Sequence, residues 1–82
     1  MMYKYAVVIE NGKTNYGAYV PDLPGCVAVG DTIEEVERLI REAIEFHIEG
    51  MLIDGDAIPK PSTRCCYAEI NMIKIKKAAH HR

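Results

Sequence analysis

A length of 82 residues allows one domain with a small core, and an apolar content of 49% excludes an intrinsically disordered chain. The net charge of −2 conceals an asymmetry, because residues 1–63 carry five basic and eleven acidic side chains, whereas residues 64–82 carry five basic and one acidic. The acidic body excludes nucleic-acid binding through phosphate contacts and suits a basic partner. We predict a cytoplasmic protein, because the sequence has no signal peptide and no apolar run of the roughly 20 residues that span a membrane.

Two short strands joined by a hairpin are predicted at the start of the chain. Tyr3–Glu10 alternates so that its aromatic and branched side chains share one strongly apolar face. Asn11 and Gly12 favour a type I′ hairpin turn, and the alternative is a longer loop that includes residues 13–15. Tyr16–Val20 then returns as an antiparallel second strand.

A proline-rich turn separates the second strand from a third. Pro21 and Pro24 cannot donate to a β-ladder, so sheet pairing is expected to pause between them. Leu23 is the apolar side chain of this turn and is predicted to plug into the core. Cys26–Val29 is predicted to form the third strand, which Gly30 ends.

A long amphipathic helix follows the third strand. Thr32 and Glu35 have the spacing of a capping box, so the helix is predicted over Ile33 to about Ile53. One stripe at 3.6-residue periodicity is apolar, and the opposite face is acidic. A solvated helix face is the ordinary interpretation of such charges, and a surface that meets a basic partner is the functional one. The proposed partner-binding residues are Glu34, Glu37, Glu42, Glu45 and Glu49.

A fourth strand is predicted over Arg64–Ile75, with a reversal of its alternation near Met72 that indicates a bulge or the end of the sheet. The order β-β-β-α-β defines an α+β fold with one long helix on a small, mainly antiparallel sheet. We assign residues 1–75 to this domain and residues 76–82 to a basic, flexible tail. Because one helix covers one sheet face, we predict self-association through the uncovered face and the edges.

No catalytic residue, metal site or cofactor is predicted. His47 lies on the apolar stripe and is interpreted as a packed histidine, and the three cysteines are interpreted as reduced, packed thiols. Two alternatives remain open. One is a residual metal-dependent nuclease that uses Glu10, Asp22 and Glu69. The other is a self-assembling regulatory domain with weak nucleic-acid contact through Lys74, Lys76, Lys77 and Arg82.

Three stretches carry a family pattern: residues 5–10, residues 16–26 with the run Pro-Asp-Leu-Pro-Gly-Cys, and residues 30–35 with Gly-Asp-Thr at the helix start. Residues 42–50, Gly55-Asp56 and Pro59-x-Pro61 fit it too. The pattern resembles the HicB-type antitoxin family over roughly residues 3–72. The residues that carry the motif are Tyr19, Pro21, Asp22, Leu23, Pro24, Gly25, Cys26, Gly30, Thr32 and Glu35.

This resemblance implies a partial RNase H-like fold, homo-dimers or dimers of dimers, and a place in a type II toxin–antitoxin system. The implied partner is a small basic HicA-type toxin that cleaves mRNA, which the antitoxin neutralises by occlusion, without being an enzyme. Family antitoxins often carry a C-terminal DNA-binding module as well. Only seven residues follow Ile75, too few for such a module, so DNA binding is not expected.

Overall fold

Three antiparallel strands and two helices make up the structure, a computed structural model that describes residues 2–80. The elements are β1 (Val8–Asn11), β2 (Tyr16–Tyr19), β3 (Val27–Gly30), α1 (Ile33–Asp54) and α2 (Met72–His80). The sheet order is β1-β2-β3, so β1 and β3 are edge strands within the described chain. The predicted α+β class, with one long helix and a small antiparallel sheet, is confirmed. Neither helix within residues 2–80 has the combination of length and apolarity that a membrane-crossing segment needs.

The hairpin between β1 and β2 is confirmed, but its turn is not of the predicted type. The loop holds residues 12–15, between Asn11 of β1 and Tyr16 of β2. The Gly12 amide donates a hydrogen bond to the Asn15 carbonyl at 2.7 Å, and Gly12 does not have a positive φ. The type I′ prediction is therefore wrong, because the longer loop closes the hairpin through its own backbone bond.

The core lies between the inner face of the sheet and α1, and burial of its apolar side chains is the main force that holds the two layers together. Helix α1 packs chiefly on β3 and, less closely, on β2. The inner face of β1 is therefore only half covered by the helix. The buried side chains are Ala18, Val20, Leu23, Cys26, Val36 and Ile40.

Local capping determines where α1 begins and ends. The extended Thr32 accepts a hydrogen bond on its hydroxyl from the Glu35 amide at 3.0 Å, which satisfies an amide that has no partner inside the helix. Gly55 is left-handed, with φ 74°, and its amide donates to the Leu52 carbonyl at 3.2 Å. The helix predicted over residues 33 to about 53 is confirmed.

The predicted fourth strand over Arg64–Ile75 is wrong for this structure. Residues 56–71 have no regular secondary structure, and the chain is helical from Met72. The Asn71 side chain accepts a hydrogen bond from the Lys74 amide at 3.1 Å, which is an N-cap contact. The break in alternation therefore marks the start of a helix, and the residues before it have no strand beside them in the described chain.

The chain after Thr63 projects from the body as an arm, which we define as residues 64–80. All side chains over residues 62–79 are exposed, and the molecule measures 59 × 29 × 21 Å. Its radius of gyration of 17.6 Å exceeds the roughly 12 Å expected for a compact chain of this length. The predicted domain boundary at residue 75 lies inside α2, and residues 81–82 of the predicted tail lie outside the described residues.

Candidate partner-binding surface

The Pro-Asp-Leu-Pro-Gly-Cys turn connects β2 to β3 and is closed by backbone hydrogen bonds. The Val20 amide donates to the Cys26 carbonyl at 3.2 Å, and the Leu23 amide donates to the Val20 carbonyl at 3.0 Å. Gly25 has φ 85°, a conformation that favours glycine. Leu23 is only 1% exposed, so its side chain fills the core as predicted. Burial raises the pKa of the Cys26 thiol, which therefore packs as a neutral group.

Asp22 fastens the returning chain to this turn through four hydrogen bonds, which we call the Asp22 clamp. Its Oδ2 accepts from the amides of Ser62 and Thr63 at 2.8 and 3.0 Å. Its Oδ1 accepts from the hydroxyls of the same residues at 3.0 and 2.7 Å. These bonds, the two from the amides foremost, hold the pKa of Asp22 well below its usual range. The Tyr5 hydroxyl donates to the Pro59 carbonyl at 2.5 Å. The segment between α1 and the arm, residues 56–63, which we call the connection, is therefore held at a second point.

The substitution Asp22→Asn tests the Asp22 clamp, because it removes the charge and keeps the size of the side chain. We expect the amide hydrogens of Ser62 and Thr63 to exchange roughly tenfold faster, since an asparagine offers a single acceptor oxygen and no charge to four donors. Amide hydrogen exchange followed by NMR measures the effect. Asp56→Asn, at an exposed position after α1, serves as the control and should leave both amides unchanged.

The same variant has a predictable pH dependence. Because the pKa of Asp22 is lowered in the folded state, its contribution to stability is present above about pH 4 and is lost as the pH falls toward the lowered pKa. The difference in urea midpoint between wild type and Asp22→Asn should therefore shrink from about pH 7 to about pH 3. A difference that stays constant over this range would contradict the charged clamp.

The carboxylates of the nuclease alternative are not brought together. Glu10 is exposed in β1, Glu69 is exposed on the arm, and both carboxylate oxygens of Asp22 accept hydrogen bonds from the connection. Over residues 2–80, no group of three or more His, Cys, Asp or Glu side chains is placed to hold a metal ion. A two-metal nuclease needs converging carboxylates, and these three carboxylates do not converge.

The five glutamates predicted to meet a partner are all exposed on one side of α1, and we call this set the acidic face. It comprises Glu34, Glu37, Glu42, Glu45 and Glu49. Two arginines interrupt it, and Arg38 pairs with Glu42 at 3.4 Å, an exposed contact that contributes little to stability. Helix α1 as a whole carries seven acidic and two basic side chains. Its outer side is therefore a negative surface on which a basic partner gains favourable contacts.

The uncovered sheet face predicted for self-association carries Tyr19 of the family motif and two exposed valines of β3 that the sequence analysis does not single out. Tyr19 and Val27 are register partners across β2 and β3 and are 41% and 62% exposed. Val29 is 59% exposed on the same strand as Val27. A strand with one solvated face usually alternates with polar residues, so the fully apolar run of β3 is the signal that points to this surface.

Of the remaining candidate side chains, His47 is half-buried on the apolar stripe as predicted. It lies in a shallow cleft between α1 and the proline-rich turn, lined also by Gly25, Cys26, Phe46 and Asp54. The prediction that the cysteines are packed is confirmed for Cys26 and is wrong for Cys65 and Cys66, which are exposed. Both lie on the arm, which projects away from the sheet and α1.

A small antiparallel sheet backed by one acidic helix, with an apolar outer face and an exposed arm, defines an α+β domain. A family model described as the HicB-like antitoxin of bacterial toxin–antitoxin systems matches residues 5–74. The chain belongs to the HicB-like antitoxin family, which confirms the resemblance seen in the sequence.

Several relatives resemble this chain. An uncharacterised 14.9 kDa protein of the rep-hol intergenic region of Haemophilus phage HP1 is 48% identical over 56 residues, covering 68% of this chain and 42% of that protein. A UPF0150 protein of Synechocystis is 40% identical over 60 residues, covering 72% and 76%. Antitoxin HicB 2 of Photorhabdus laumondii is 31% identical over 61 residues, covering 74% and 44%. The chain thus spans less than half the length of the phage and Photorhabdus relatives.

A chain of the solved HicA3 and HicB3 toxin–antitoxin complex has a similar structure. The superposition has a TM-score of 0.64 at 28% sequence identity and covers 73% of this chain and 70% of that chain. The family therefore has support from the three-dimensional fold as well as from the sequence.

Proposed function

We propose that this chain is the binding module of a type II toxin–antitoxin system, which neutralises a small basic HicA-type toxin that cleaves mRNA. The observation that carries the proposal is the structural similarity to a chain of a HicA3 and HicB3 complex, together with the family match over residues 5–74. Neutralisation in this proposal is occlusion, so the chain needs no cofactor and catalyses no reaction.

The acidic face supports a basic partner on physical grounds. Its glutamates are exposed, so they attract a cationic protein at long range, and this attraction raises the association rate and weakens as salt is added. Burial of a basic toxin surface against α1 would then keep RNA from that surface, because phosphates and carboxylates compete for the same lysines and arginines.

Charge reversal on the acidic face tests this function. Glu34→Lys combined with Glu42→Lys should weaken binding of a HicA-type toxin at least roughly tenfold, because close like charges oppose association. Calorimetry measures the affinity, and growth of cells that express both proteins measures neutralisation. Both positions are exposed, so circular dichroism should show an intact fold.

The matched control is Glu10→Lys combined with Asp56→Lys, which changes the net charge equally at exposed positions outside α1. It should leave toxin binding within about twofold of wild type in physiological salt, where distant charges are largely screened. Equal losses in the two double variants would contradict a role for the acidic face. Absence of binding by the wild-type chain would contradict the proposed function itself.

Three further parts of the proposal concern the state and place of the protein. We place it in the cytoplasm as a homo-dimer or dimer of dimers, and the apolar outer sheet face supports self-association. A partial RNase H-like relationship stays a prediction.

A weak nucleic-acid contact is the second candidate function, favoured by Lys74, Lys76 and Lys77, which are exposed on α2 with no acidic residue in that helix.

A further inference from the structure

An open apolar groove of about 820 Å³ runs between β1 and α1. It exists because α1 packs mainly over β3 and β2 and leaves the inner face of β1 half covered. Met2–Tyr5, Val7 and Ile9 form one wall, and side chains of α1 between Glu37 and Glu49 form the other. The apolar side chains deepest in the two walls are Tyr5, Val7, Ile9, Ile40, Ile44 and Ile48.

The groove is bordered by a backbone edge that has no partner within residues 2–80. Strand β1 is hydrogen-bonded to β2 on one side only, so its other edge presents free amide and carbonyl groups. Such an edge accepts an added strand, and an apolar wall beside it selects a strand with alternating apolar side chains.

The arm has the properties of such a strand, and no strand of its own chain lies beside it within residues 2–80. In an extended strand, Cys66, Ala68 and Ile70 lie on one side and Tyr67 lies on the other. All four side chains are exposed. Tyr67 is 102% and Ile70 is 59% exposed. Residues 64–71 span about 26 Å at about 3.3 Å per residue when fully extended. The segment from Met2 to Ile9 that flanks the groove has the same number of residues, the last two of which belong to β1.

Charge also matches the arm to the groove. Three glutamates line the groove, Glu37, Glu45 and Glu49, together with two basic residues, Lys4 and Arg41. Helix α2, at the end of the arm, has the basic residues Lys74, Lys76 and Lys77 and no acidic one.

The connection directs the arm away from the groove of its own chain. Pro59 is bonded to Tyr5 at the groove, and Ser62 and Thr63 are then bonded to Asp22, in the turn that follows β2. The chain is thus moving away from β1 where the arm begins. An occupant from the same chain would have to reverse direction immediately after the Asp22 clamp.

We propose that residues 64–71 of a second copy fill the β1–α1 groove and pair with the free edge of β1, with the lysines of α2 near the groove glutamates. Exchange of arms between two copies is reciprocal, so it gives a closed two-fold dimer in which each groove holds the partner's arm. The strand predicted from the alternation of this segment then forms between chains. The inference deepens the proposed self-association and does not depend on toxin binding.

Light scattering on the full chain tests the dimer, with an expected mass of twice 9.2 kDa. Ile70→Glu places a charge on the groove-facing side and should raise the dimer dissociation constant at least roughly tenfold. Tyr67→Glu places the same charge on the opposite side of the strand and should leave the dimer intact. A wild-type chain that stays monomeric at high concentration, or equal effects of the two substitutions, would overturn the proposal.

Cross-linking between two differently tagged chains identifies the occupant. One chain carries Glu45→Cys in the groove with Cys65→Ser and Cys66→Ser, and the other carries Cys65→Ser and keeps Cys66. A short bis-maleimide should join the two tagged chains. Absence of a link between the two tagged chains, or a groove that only the toxin protects, would overturn arm exchange. A dimer that fails to bind toxin would contradict the proposed function and leave the arm exchange standing.

Discussion

Replacement of Leu23 with alanine is expected to lower the free energy of unfolding by about 2–5 kcal/mol. Leu23 is 1% exposed and is packed among the other buried side chains of the core. Its backbone is also tied into the turn, since the Cys26 amide donates to the Leu23 carbonyl at 3.0 Å. The turn is thereby held in place and closes poorly over the cavity left by the removed atoms.

This effect is large for so small a domain, whose total stability is expected near 4–12 kcal/mol. Urea unfolding with a shared slope measures the change. Ile53→Ala is the control, because Ile53 is 85% exposed and its truncation should change stability by less than about 0.5 kcal/mol. A loss below about 1 kcal/mol for Leu23→Ala would contradict the assignment of Leu23 to the core.

The second large effect is expected at Gly30, where β3 approaches the first turn of α1. A Cβ atom at Gly30 would lie 2.9 Å from the Val36 amide nitrogen and 3.2 Å from the Val36 Cα. These are backbone atoms of a helix, which do not move aside as a side-chain end does. Gly30→Ala should therefore destabilise the domain by about 1–3 kcal/mol, the range typical of overpacking.

Gly50→Ala provides the matched control with the opposite sign. Gly50 is exposed inside α1, and a Cβ atom there would meet nothing within 4 Å. Alanine should stabilise the helix by about 0.5–1 kcal/mol, because it loses less backbone entropy on folding. Thermal unfolding of the two variants measures both effects, and a destabilised Gly50→Ala would contradict the open surroundings of that residue.

The arm shows where sequence reasoning reaches its limit. The alternation from Cys66 to Ile70 predicts a strand, but a strand also needs a neighbour, and none lies beside this segment within the described chain. The cap formed by Asn71 is local, and it explains why the pattern breaks at Met72. An N-cap interpretation of Asn71 was available from the sequence, since asparagine is a favoured cap residue.

Local signals in the sequence alone determined the helix over residues 33–54, the hairpin, the proline-rich turn with its buried Leu23, and the family pattern. Each of these depends on residues close together in the chain, where propensity, capping and periodicity act directly. Only the tertiary structure showed that Asp22 binds Ser62 and Thr63, 40 and 41 residues away, and that an open groove lies beside β1. Those features arise from the position of α1 over β3 and from the path of the connection, and no periodicity in the sequence encodes either.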